Sequence, residues 1–311
     1  MTFIKKHYKS FIYLFLLMTL LNTASYADGK QYLRLPVFAR AESMGGAYTA
    51  IAEDAGAFFY NPAGVARYQG ENFLVSSAYA DWVEGAKKIS TVVILPDDFG
   101  DHIFLRGASL DYFTVSGLKA YDEYGNRDGD ISYYDLAVGL NFGKKFDSLA
   151  VGTNLKLLLE KLDDYSGSGF SADLGALYKA TEEIQLGASL NNLGTFSLEE
   201  IDVDMPTTYR IGAAYKIPEF FTLGLDLENN SKGSNIHLGS EVYVIEELSV
   251  QAGWKSTQGG GVYSLGTSLS TEHPELSNWG GQILVNYSFS GGGNLDTINH
   301  RIDAGVRFRI H

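Results

Sequence analysis

The chain has 311 residues, 45% of them hydrophobic, with 37 acidic against 24 basic residues and a net charge of −13. That balance excludes nucleic acid as a partner, because a polyanion would be repelled. The absence of cysteine excludes a fold held by disulfides.

Residues 1–27 have the layout of a secretory signal peptide. Lys5, Lys6 and Lys9 form a basic start, Phe11 to Leu21 is an apolar run of eleven residues, and Ser25-Tyr26-Ala27 is a small-x-small cleavage site before Asp28. Eleven residues fall short of the ~20 that a spanning helix needs. Export through the Sec pathway is therefore expected. Loss of the three lysines leaves 21 basic against 37 acidic residues, a net charge of −16. No later apolar run approaches spanning length, so the mature chain is either soluble or enters a membrane as strands.

Residues 28–71 precede the first strand. Within them 45–66 reads GGAYTAIAEDAGAFFYNPAGVA, and eleven of its twenty-two residues are Gly or Ala. Asn61 is a helix-capping type with Pro62 at the first position, which predicts a short helix over Ala63 to Tyr68 ending at Gly70.

From residue 72 the pattern is β throughout. Fourteen segments alternate apolar and polar residues: 72–82, 87–95, 102–114, 131–143, 147–161, 168–180, 182–191, 207–217, 220–229, 235–245, 247–255, 261–271, 280–290 and 299–311. Phe221, Leu223, Leu225 and Leu227 share one face; Thr222, Gly224, Asp226 and Glu228 share the other. Even strand number and a length near ten residues predict an all-β fold, a 14-stranded antiparallel transmembrane β-barrel over 72–311.

Four very short connections lie at one end (143–147, 180–182, 217–220 and 245–247), and the three longest (115–130, 192–206 and 291–298) lie at the other. The connection 272–279 is an eight-residue exception on the short side. A soluble sandwich also alternates, but the signal peptide and this asymmetry favour the barrel.

The apolar face must meet lipid, since a charge at mid-bilayer costs ~2–4 kcal/mol. The charged residues then line the lumen: Asp135, Lys156, Glu160, Asp173, Arg210, Asp226, Glu228, His237, Glu241, Arg301, Asp303 and Arg307. Outward aromatics form two girdles. Phe142, Tyr178, Tyr215, Phe221 and Phe308 mark the short-turn end; Tyr134, Phe170, Tyr209, Trp254, Tyr263 and Phe289 mark the long-loop end.

In strand 3 Arg106 and Asp111 fall on opposite faces unless a bulge intervenes at Gly107. A glycine recurs near mid-strand on the polar face: Gly139, Gly152, Gly175, Gly187, Gly212, Gly224, Gly239, Gly253, Gly266 and Gly305. Strand glycine means bending or the close approach of another backbone.

The stretch 45–66 resembles the N-terminal signature of the FadL-like outer-membrane proteins, and is most similar to the PorV/PorQ-type branch. The resemblance rests on Met44, Gly45, Gly46, Ala47, Asp54, Asn61, Pro62, Ala63 and Gly64, about thirty residues in all. It implies that residues 28–71 fold inside the barrel as a hatch, in an integral protein of the bacterial outer membrane. It implies either passive passage of hydrophobic, fatty-acid-like molecules or, in the PorV/PorQ branch, a part in type IX protein secretion. The expected partners are outer-membrane lipid, with hydrophobic small molecules or secretion-system proteins.

Within the hatch, Glu53 and Asp54 are expected to pair with lumenal cations among Lys156, Arg210, Arg301, Arg307 and Arg309. Phe58, Phe59 and Tyr60 are candidates for ligand or hatch–wall contact.

No metalloprotease, nucleophile-elbow or phosphate-loop motif is present, so no enzyme activity, cofactor or metal is expected. The loop YDEYGNRDGD (121–130) lacks two ligand positions of a calcium loop and reads as a solvated acidic hairpin. His237 as the base of a barrel hydrolase is a remote alternative, since no nucleophile is placed beside it.

Overall fold

The computed structural model describes residues 29–68, 72–82, 85–96, 104–272, 281–292 and 298–308. The signal-peptide reading, Gly70, Arg309 and most of 272–279 lie outside these residues.

Residues 29–68 form an inner segment of short helical turns: a 3₁₀ turn (Gln31–Arg34), α1 (Ala39–Ser43), α2 (Ala57–Tyr60) and a second 3₁₀ helix (Pro62–Arg67). The predicted helix after Asn61 is present, but in the tighter 3₁₀ form.

The strands follow: β1 (Phe73–Asp81), β2 (Ala86–Ile94), β3 (Leu105–Val115), β4 (Lys119–Tyr121), β5 (Arg127–Asp130), β6 (Tyr133–Phe146), β7 (Leu149–Leu162), β8 (Tyr165–Lys179) and β9 (Ile184–Leu198). Then come β10 (Ile201–Val203), β11 (Thr208–Ile217), β12 (Phe221–Asn230), β13 (Gly233–Ile245), β14 (Leu248–Thr257), β15 (Gly260–Glu272), β16 (Gln282–Gly292) and β17 (Asn299–Phe308).

Fourteen of these strands close into an antiparallel barrel. The ring is sealed where β1 meets β17, from Phe73 opposite Phe308 to Asp81 opposite His300. Closure matters because a strand edge left open in hydrocarbon would strand its backbone polar groups. No helix among the described residues is long and apolar enough to cross a membrane.

The faces sort as the alternation requires. Leu223, Leu225, Leu227, Leu238, Leu265 and Ile302 are exposed on the outside, whereas Asp135, Asp173, Asp226, Glu241, Arg301 and Asp303 are buried inside. The register slips at Arg106, between Leu105 and Gly107, and this bulge turns both Arg106 and Asp111 inward.

Two departures from the sequence reading concern the long connections. The 115–130 connection carries the β4–β5 hairpin. Strand β9 runs on to Leu198 and pairs with β10, past a second slip opposite Asp173 where Asn192 takes φ 62°. The end-to-end asymmetry is also softer than expected, since 163–164, 231–232 and 258–259 at the long-loop end are two-residue turns.

Candidate functional site

The lumen is filled by the inner segment, and the wall glycines explain how. A Cβ at Gly253 would overlap the backbone of Met44 and Gly45, one at Gly239 the Met44 carbonyl, and one at Gly187 the Thr49 carbonyl. A Cβ at Gly224 would stand 2.7 Å from the Ala47 carbonyl oxygen. Gly266 faces Ser43, Gly212 faces Thr49 as well as Asp226, Gly175 faces Asn61 and Pro62, and Gly152 faces Pro62.

Eight of the ten row glycines thus meet the segment. Gly139 and Gly305 instead face the wall side chains Ser109 and Ser76. Taken in chain order, Ser43 to Pro62 meets β15, β14, β13, β12, β11, β9, β8 and β7 in turn, so the segment runs round the inner wall. Gly45 and Gly46 have φ of 64° and 78°. Any other residue there would be strained, and a side chain would strike the backbone of Trp254 or the ring of His237.

Asn61 is fully buried, and its amide is used in three directions. Its Oδ1 accepts from the Ala63 N–H at 3.2 Å, and its Nδ2 donates to the carbonyls of Thr49 (2.8 Å) and Ala176 (3.0 Å). It therefore caps the helix and ties two parts of the segment to β8. Gly64 lets that helix close against the Ala52 carbonyl, and Ala63 packs with Ala150 and Leu177.

Charges fix the rest. Arg40 holds Glu241 with two hydrogen bonds, 3.1 and 2.7 Å, and also reaches Asp54 (3.0 Å) and the Tyr48 hydroxyl (2.6 Å). Asp226 accepts from the backbone N–H groups of Tyr48 (2.9 Å) and Thr49 (2.8 Å). Asp303 accepts from the Ala39 N–H at 2.7 Å. Lys30 bridges Asp135 (2.8 Å) and Glu160 and lies 3.8 Å over the ring of Phe196.

Burial alone would push the Glu42 carboxyl up. Arg301 at 3.6 Å and Lys255 at 3.4 Å outweigh it and hold the group below the usual carboxylate range.

The expected partners of Glu53 and Asp54 are corrected. Glu53 pairs with Lys216 (3.1 Å) and Arg67 (3.5 Å) and accepts from Gln185 (3.0 Å). Asp54 pairs with Arg40, within its own segment. The proposed cations are engaged elsewhere: Lys156 with Asp173, Arg210 with Glu228, Arg301 with Glu42, and Arg307 with Gln282. Arg307 lines the same cavity as Glu53 but is bound by Gln282; for Lys156, Arg210 and Arg301 the reason is depth. Glu53 and Asp54 sit near the short turns, where Lys216 ends β11, and Arg210 lies higher on the same strand.

His237 contacts the Gly45 carbonyl (2.7 Å) and Glu228 (3.6 Å), so it joins the inner segment to the wall. In the loop 121–130, Asp122 is satisfied by the Tyr124 and Asn126 N–H groups, and Arg127 binds Asp130. No metal-binding cluster occurs among the described residues.

Cavities remain between the segment and the wall. One of about 440 Å³ opens toward the short turns, between the segment (Phe38, Arg40, Ile51, Glu53) and the wall (Leu74, Leu284). A second, of about 20 Å³, lies toward the long loops against Leu33, Phe58 and Phe59. Phe58 is buried and presses on Gly107; Phe59 is half-buried; Tyr60 lies edge-on to Tyr48, with the Arg210 guanidinium 4.8 Å over its ring. Lys30, Phe38, Arg40 and Lys216 were not singled out from sequence. The available signal was four cations, Lys30, Arg34, Arg40 and Arg67, in a segment entering an acid-rich lumen.

This architecture has solved counterparts. The Ralstonia pickettii toluene transporter TbuX matches with a TM-score of 0.58 at 13% identity, over 88% of this chain and 98% of its own. The Pseudomonas putida toluene transporter TodX gives 0.59 at 13% identity, over 92% and 99%. It is the FadL-type barrel fold. A Pseudomonas aeruginosa FadL homologue matches at 0.55 and 11% identity, over 89% and 99%. No family model and no curated protein sequence matches the chain. At these identities the FadL-type likeness is one of fold.

Proposed function

We propose that this protein is an outer-membrane barrel that passes hydrophobic small molecules, with the inner segment as its hatch. The observation that carries the reading is the asymmetry of the lumen. Its long-loop end is closed by Lys30, Arg34 and an apolar cluster of Phe196, Met205 and Leu33, while its short-turn end holds the cavity of about 440 Å³. Such a shape suits a pore held shut from one side. The named roles of TbuX and TodX as toluene transporters support the same reading.

The test exploits the absence of cysteine. An ideal Cβ at Gly224 lies 3.3 Å from the Ala47 Cβ, close to the Cβ–Cβ span of a disulfide. In the Ala47→Cys/Gly224→Cys double variant, whose reduced form must first match wild-type uptake because the added Cβ crowds the Ala47 carbonyl, oxidation locks the segment to the wall. Uptake of a labelled apolar solute by intact cells is expected to fall on oxidation and recover on reduction. Uptake that ignores the lock removes the hatch. A deletion strain with normal uptake but lost surface display of secreted proteins supports the secretion alternative instead.

A further inference from the structure

We infer that Phe59, seated against Phe38, is the constriction of a route through the lumen and sets the size of the solute that passes. The inference rests on the transport reading above.

The two cavities are neighbours in a chain of apolar contacts. Leu33 packs on the cluster of Phe196 and Met205 that closes the long-loop end, and it also lines the small cavity. Phe59 lines that same cavity. Phe38 lines the large one. The two rings touch, with centroids 5.6 Å apart and planes tilted by 35°. This one aromatic pair therefore lies between the side reached from the long loops and the hollow that faces the short turns.

The small cavity, about 20 Å³, holds roughly one water. No solute rests there unless a ring moves, and Phe59 is the candidate because it is only half-buried. Phe58 is 3% exposed and pressed against the wall at Gly107.

Charge at the constriction is already balanced. Asp111 is bound by Lys88 at 3.0 Å and Asp173 by Lys156 at 2.7 Å. Lys88 is fully buried and also donates to the carbonyls of Tyr32 (3.1 Å) and Leu35 (3.0 Å). A charged solute would have to break one of these buried pairs, and an uncharged one would not. The chemical class that fits is an uncharged apolar solute, small enough to pass one displaced phenyl ring.

The experiment measures initial uptake of labelled toluene, naphthalene and anthracene by intact Gram-negative cells. Cells carry the wild type, Phe59→Ala, Phe59→Leu or Phe59→Trp, and barrel-free cells give the background. Heat-modifiable mobility confirms folded barrel in each strain, with Phe59→Leu standing in should Phe59→Ala not fold. Removing the ring should raise the barrel-dependent rate for anthracene about tenfold, in the range one hydrophobic-pocket change discriminates, and change toluene much less. Phe59→Trp should lower naphthalene. An unchanged size profile in the smaller variants overturns the constriction and leaves transport standing, as would be seen for a route through the barrel wall. If none of the three solutes depends on the barrel even in the wild type, the transport reading falls and this one with it.

Discussion

The inner segment is held in two different ways on two sides of the lumen. From Ser43 to Thr49 its backbone lies close on wall glycines, and the wall side chains Asp226 and His237 bond directly to that backbone. Toward the short turns it is separated from the wall by a cavity, and Arg40 and Glu53 span the gap. The first is a contact of shape: it leaves little room for an added atom and releases only if backbone moves. The second is a contact of charge across a space open to solvent, and it can be broken by changing one group. A segment held this way is expected to pivot on its glycine seam and move at its charged side.

The sharpest test of the seam adds a side chain to it. Gly253→Val drives two methyls into the backbone of Met44 and Gly45. Overpacking typically costs about 1–3 kcal/mol, and more where backbone cannot yield, so the folded barrel is expected to be lost or to melt much earlier. Gly305→Ala is the comparison within the same glycine row. Its Cβ meets Ser76 and the Val75 carbonyl oxygen at 3.1 Å, a contact relieved by a shift of a few tenths of an ångström, and the cost should stay below about 1 kcal/mol. Urea titration of the barrel in detergent micelles compares the two; equal losses would mean the seam is not special.

On the charged side the largest effect belongs to Arg40. Arg40→Met leaves Glu241, whose side chain is 1% exposed, without its cation, and frees Asp54 and Tyr48 together. Removing one partner of a buried pair costs about 3 kcal/mol or more. The 20% exposure of the Arg40 side chain lets cavity water recover part of that, so about 2 kcal/mol is expected. Hydrogen exchange should rise over residues 36–42 and 51–56 and hardly change over the seam, 43–49. Uniform loosening of all three stretches would erase the distinction drawn here.

The long-loop end gives an intermediate case. Asp135 and Glu160 are directly opposite in register, and Lys30 is the cation between them. Lys30→Met leaves two facing carboxylates, so residues 29–36 should lose protection by about 1–2 kcal/mol. If only local exchange rises, Lys30 is a tether for the segment's start. If residues 43–49 loosen too, the seam depends on it.

These contrasts also separate what could be read in the sequence from what could not. Strand periodicity is local, so all fourteen wall strands were legible, and the charged face was rightly placed inside. The glycine row was legible as a pattern, but bending and close approach remained equal explanations until the segment's path was known. Strand β9 was cut short because Asn191, Asn192 and Gly194 break the alternation at its bulge. The ion pairs were the least legible. Glu53 meets Lys216 across 163 residues of sequence, and only depth in the lumen selects that lysine over Arg210 or Lys156. Asp54 turned to Arg40, fourteen residues away in its own segment, because a pair within the segment forms whatever the wall presents.

The smallest effect concerns Glu53 and pH. Burial raises its carboxyl, but Lys216, Gln185 and Arg67 more than offset this, and it titrates below the usual carboxylate range. A carboxylate depressed in the folded state contributes stability above its unfolded value, about 4.3. That contribution is lost as pH falls through the lower folded value. The side chain is 36% open to the cavity, so solvent screens the pair and the contribution is small. Melting temperatures of wild type and Glu53→Gln should therefore differ by a constant few degrees at pH values well above the unfolded carboxylate value, with the wild type higher, and converge once the solution is more acidic than the folded group. Because the pair faces the hollow side, added salt should shrink the difference as well. A gap that survives both acid and salt would mean that Glu53 is held by shape, like the glycine seam, and that the hollow side is no looser than the rest.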